Sequence, residues 1–166
     1  MKSHYIIGIV CLGLILAGCG GYFFVTAQYN SAYQTLVTAD GFYYAGIGMT
    51  GDVPNEARAF KKLYFSQNAR EYFLRLADEG TEAGKLYALC GLYHLDKQTF
   101  ATLIEEYQHI TTPIPGGAGC IPTRLPMNQI ISATDSPEYD IKHGKIPDEL
   151  LSFIGYIDNI DRIKKQ

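Results

Sequence analysis

The chain has 166 residues, four cysteines, no tryptophan and 47% apolar side chains; beyond its first 18 residues it carries 13 Lys+Arg against 17 Asp+Glu. That apolar content excludes a wholly disordered chain and a linker array, and it allows one domain burying roughly two thirds of its unfolded surface. A mildly negative balance without a basic stripe argues against a nucleic-acid binder.

In chain order, Met1 to His4 carries Lys2, Tyr5 to Ala17 is almost wholly apolar, and the small residues Ala17 and Gly18 precede Cys19. This charged, apolar and small-residue order is that of an export signal. Leu16-Ala17-Gly18-Cys19 resembles the lipobox of bacterial lipoproteins. The resemblance covers the signal alone and implies diacylglycerol transfer to the Cys19 thiol, cleavage before it and acylation of the new amino terminus. Several fatty acyl chains of the palmitate kind make anchoring stable where one chain binds only marginally. Gly20 rather than Asp after Cys19 permits outer-membrane delivery in enterobacteria-like sorting. The expected layout is a signal peptide over 1–18, a membrane-proximal tether over 19–27 and a single helical domain over 28–166. An alternative is an uncleaved single-pass anchor, since Ile6 to Val25 spans 20 residues, enough to cross a bilayer at about 1.5 Å per residue. A soluble secreted product is a third.

Gln28 to Asp40 reads as a helix on Tyr29, Ala32, Tyr33, Leu36 and Val37. Residues 42–51 read as a glycine-rich turn region. Asp52 opens a second helix with Pro54 in its first turn and a stripe of Ala57, Phe60, Leu63 and Tyr64. Three further stripes follow: Ala69, Tyr72, Phe73, Leu76 and Ala77, ended by Gly80; Leu86, Leu89, Cys90 and Tyr93; and Phe100, Leu103, Ile104 and Tyr107, with Asp96 as N-cap. Short connections imply antiparallel neighbours. Glu56 to His109 thus loosely resembles helical hairpins of the HEAT or tetratricopeptide type, although no fixed repeat period is present. Thr111 to Pro126 holds four prolines and three glycines, which exclude a helix interior and predict an irregular loop. Met127 to Ala133 is short and β-leaning, and Thr134 to Pro147 is turn-rich. Asp148 to Lys165 is a helix on Leu150, Leu151, Ile154 and Ile157, continued by Ile160 and Ile163. The expected fold is mostly α: five or six helices in packed α-hairpins, an irregular Pro/Gly-rich loop and a C-terminal helix.

Export into an oxidising compartment favours pairing Cys90 with Cys120. That bridge would close a loop of about 30 residues and stabilise by roughly 3–4 kcal/mol. The alternative is a buried, apolar Cys90 and a free Cys120. Gly46-Ile47-Gly48-Met49-Thr50-Gly51 fits G-x-G-x-x-G, but a dinucleotide site needs a second, parallel strand and none is evident, so a tight loop is expected. His94, His109 and His143 are scattered, so neither a metal nor a cofactor is expected. Asp78 with Glu79, and Glu105 with Glu106, are read as solvated surface, and as the carboxylates a cell-wall hydrolase would use in the rival reading. Tyr43, Tyr44, Tyr87 and Tyr139 fall off the stripes and are the expected exposed contact patch. The leading expectation is a non-enzymatic lipoprotein of the bacterial cell envelope, facing the periplasm or exterior. It is tethered to the membrane and binds a protein partner.

Overall fold

The computed structural model describes residues 28–120, 123–132 and 140–163. The signal, the tether, Cys19 and Tyr139 lie outside the described residues, as do the side chains of Ile160 and Ile163. Contacts divide the chain into Met1–Ser31 and Ala32–Gln166. Of the first unit, residues 28–31 are described and are helical. The second unit contains α1 (residues 32–37), β1 (Phe42–Ile47), α2 (Asn55–Tyr64), α3 (Ala69–Glu79), α4 (Glu82–Leu95) and α5 (Lys97–Tyr107). It continues through β2 (Pro113–Gly119), β3 (Thr123–Pro126), α6 (Met127–Ile131) and α7 (Lys145–Ile163). The fold is mostly α, as the periodicity predicts, with a small three-stranded sheet added.

The amphipathic helices lie around α4, which has no polar face. Ala83, Gly84 and every residue from Leu86 to Leu92 are buried. A helix apolar all round belongs inside a domain, covered on every side. Two of its glycines permit that covering. A Cβ at Gly84 would stand 2.6 Å from the Leu36 carbonyl oxygen of α1, and one at Gly91 2.5 Å from the Phe73 ring of α3. Phe60, Leu63, Phe73, Leu76, Leu86 and Leu89 are fully buried, each contributing about 1.5–3 kcal/mol by leaving water.

The starts of α4 and α5 are fixed by side-chain caps, of which Asp96 is the one expected. The Thr81 hydroxyl accepts from the Gly84 N–H at 3.2 Å and donates to the Ala39 carbonyl at 2.7 Å, so one side chain caps α4 and holds the chain after α1. Asp96 caps α5, accepting from the Thr99 N–H at 3.1 Å and the Thr99 hydroxyl at 2.9 Å. Arg70 of α3 donates to the same carboxylate at 2.6 and 2.9 Å.

The segment expected to be an irregular loop instead contributes two strands, β2 and β3. Its prolines do exclude a helix, but they are compatible with a strand that changes partners midway. Pro113 to Gly116 pair antiparallel with β3, whereas Gly116 to Gly119 pair parallel with β1. Pro113 and Pro115, which lack an N–H, therefore lie in the half of β2 that has no β1 partner. Gly116 sits where the two ladders meet, and a Cβ there would collide with the Phe42 carbonyl. The turn expected at 42–51 is likewise β1 for its first six residues, and the β-leaning stretch after Pro126 is helix α6. α7 begins at Lys145, three residues before the expected start, because Pro147 fits a first helical turn where its missing N–H needs no partner. Leu150, Ile154 and Ile157 then pack inward.

Candidate functional site

Polar and aromatic side chains gather where α4 ends and α7 begins. His94 occupies the last turn of α4, and Asp148 the first turn of α7. His94 Nε2 lies 3.6 Å from Asp148 Oδ1; the His94 side chain is 19% exposed and that of Asp148 67%. Nε2 is buried and has no hydrogen-bond partner among the described residues. Tyr93 and Tyr64 each present a ring edge-on to the imidazole, with centroids 4.9 and 6.2 Å away. Lys97 Nζ stands 5.2 Å from the Tyr93 ring centroid. The Tyr93 hydroxyl presses on the backbone of Gly144, where φ is +92° and any Cβ would collide with it. Four residues earlier, Asp140 is buried; it accepts from the His143 N–H at 3.1 Å and contacts His143 Nδ1 at 2.6 Å. Beyond Tyr64, Phe65 is 65% exposed and meets the Tyr64 ring edge-on at 5.3 Å. Leu95, next to His94, is also exposed. This end of the helical layer thus carries an apolar rim around a half-buried imidazole.

Two of the four tyrosines expected to form an exposed contact patch lie in the core. Tyr87 is wholly buried in α4 and Tyr44 is 5% exposed in β1; Tyr43 is half-buried, and Tyr139 lies outside the described residues. Tyr87 leaves the stripe of α4 because α4 is buried on all faces, not because it points to solvent. Its hydroxyl accepts from the Tyr43 N–H at 2.8 Å and donates to the Tyr43 carbonyl at 2.9 Å, so it completes the hydrogen bonding of β1 from within the core. Burial pushes its hydroxyl pKa well above the usual value. The near-continuous apolar run from Leu86 to Leu92 is the sequence signal that places it inside.

The expected Cys90–Cys120 bridge is absent: both thiols are free, Cys90 buried and Cys120 exposed. Cys90 packs as a small apolar residue, and burial raises its thiol pKa well above the ordinary value, which disfavours the nucleophilic thiolate. Glu105 and Glu106 are exposed on α5, and Asp78 and Glu79 on α3. Glu79 is engaged by the Tyr33 hydroxyl at 2.7 Å and by Arg75 at 3.4 Å; these two contacts lower its pKa, the Tyr33 hydrogen bond most. His109 is exposed. Among the described residues, no three His, Cys, Asp or Glu side chains stand together as a metal site would require.

The glycine motif does acquire a parallel partner strand, contrary to expectation, since β1 pairs with β2. The loop after β1 closes on itself nonetheless. Ile47 and Asp52 exchange backbone hydrogen bonds at 2.9 and 2.8 Å, and Gly48 and Gly51 take positive φ at 71° and 63°. Thr50 donates to the Asp52 carboxylate at 2.6 Å and Met49 projects at the tip. A pyrophosphate needs free N–H groups at a helix start, and here it would meet an acid. An apolar cavity of about 10 Å³ between β1, β2, β3 and α6, lined by Phe42, Ile114, Leu125 and Ile130 among others, has room for one water-sized molecule at most.

Comparison with known proteins adds no relative: no family model matches the chain, and neither the curated proteins nor the solved structures contain a significant match. Among the described residues, no helix is long and apolar enough to cross a membrane.

Proposed function

We propose that this chain is a cell-envelope lipoprotein, anchored through acylated Cys19, whose helical unit is a non-enzymatic module that binds a protein partner. The observation that carries the anchor is Leu16-Ala17-Gly18-Cys19 after an apolar stretch that begins at Tyr5. The binding role is supported by the rim of Phe65 and Leu95 at the end of α2 and α4, which leaves large apolar side chains in water. Single exposed apolar residues are ordinary; an aromatic one resting on a second aromatic at the end of a packed layer offers a rigid contact.

Cys19→Ala tests the anchor. The variant is expected to keep its precursor length and to lose incorporation of labelled fatty acid; unchanged labelling and unchanged membrane association overturn the reading. A photocrosslinking residue in place of Phe65, used in intact envelopes, tests the binding role. A discrete adduct that is lost on Leu95→Asp supports it; no adduct contradicts it.

A further inference from the structure

We propose that His94 and Asp148 form a proton-operated latch between the end of α4 and the start of α7. A neutral imidazole offers a donor at one ring nitrogen and an acceptor at the other, and the buried Nε2 of His94 makes no hydrogen bond with any described residue. Asp148 Oδ1, at 3.6 Å, is within an ångström of charge-assisted hydrogen-bond distance and sits on an exposed side chain free to close the gap. A proton on the imidazole makes Nε2 a charged donor aimed at that carboxylate. The helix ends reinforce the pairing: a cation is favoured in the last turn of α4, and an anion in the first turn of α7.

The other groups around the imidazole do not compete for this role. From α2, Tyr64 contributes a ring edge; from α4 itself, so does Tyr93. Lys97 of α5 is held over the Tyr93 ring. Asp96 is occupied by Thr99 and Arg70. Glu149 pairs with Lys145 at 2.9 Å, and His143 pairs with Asp140. Asp148 is thus the acid facing Nε2 among the described residues. α7 packs against α4, α2 and β1, so tightening its first turn alters how firmly this helix covers the sheet. The inference does not depend on the anchor or on a partner.

Backbone hydrogen exchange of the full chain in detergent, corrected for intrinsic rates, tests the latch by comparing pH 7.5 with pH 5.5. Amides of the first two turns of α7 are expected to be protected about tenfold more at pH 5.5, as a partly buried charge pair at two helix ends implies. Asp148→Asn, a change at an exposed side chain that leaves the core intact, is expected to abolish that difference, and His94→Gln to do the same. Equal or lower protection at pH 5.5 in the wild type overturns the proposal, as does a difference that persists in Asp148→Asn.

Discussion

The helical layer and the three-stranded sheet hold together by different means. Between α3 and α4, side chains interlock: Phe73 lies against Gly91 and Leu76 against Gly84, and Leu86 and Leu89 of α4 are fully buried. In the sheet, the backbone itself makes the close contacts. Gly116 lies against the Phe42 carbonyl, and the free edge of β1 at Tyr43 is completed by a hydroxyl from α4. The first arrangement depends on volume, the second on backbone proximity and one donor–acceptor group. Substitutions that remove volume should therefore damage the layer most, whereas substitutions that remove a hydroxyl or add a methyl should damage the sheet.

The largest effect is expected for Phe73→Ala, about 3–5 kcal/mol, because removing a fully buried ring leaves a cavity between α3 and α4. Urea unfolding measures it, and a loss under 1 kcal/mol would contradict the central place of this contact. Tyr87→Phe keeps nearly all the volume but leaves both backbone groups of Tyr43 without their partner, which should cost about 2–3 kcal/mol. Faster exchange confined to the sheet amides, with α3 and α4 unchanged, would sharpen the distinction between the two regions.

A smaller effect is expected at Asp96. The Thr99 N–H and hydroxyl, then Arg70, hold its carboxyl down to about 2. A depressed folded-state pKa contributes stability that is present above the unfolded-state value of about 4 and is lost as pH falls toward 2. Asp96→Asn should remove that part of the acid dependence and leave the urea midpoint at pH 2 nearly unchanged. An undiminished slope between pH 4 and 2 would show that other carboxylates carry it.

The same contrast explains what was legible in the residues. Stripes such as Phe60–Leu63 and Phe73–Leu76 recur at helical spacing within one element, and the cap Asp96 sits next to what it caps. The sheet could not be read that way, because β1 and β2 are far apart in the chain and their pairing depends on Gly116 tolerating a close approach. The tyrosine patch failed for a related reason: in α4, leaving a stripe does not mean leaving the core, so Tyr87 points inward. The gathering of His94 and Asp148 was equally hidden, since four elements separate them and only the packing of α7 on α4 brings them near. Cys90 followed from burial and Cys120 from exposure, without the bridge that an oxidising compartment favours.

The described unit shows how the chain packs, whereas the proposed role begins at a residue ahead of it. Intact-mass analysis of the N-terminal peptide from purified membranes addresses that point most directly. The proposed anchor predicts a chain that starts at Cys19 with a mass increment of diacylglycerol, or of diacylglycerol plus one amide-linked acyl chain. A peptide that retains Met1 to Gly18 with an unmodified Cys19 would contradict it.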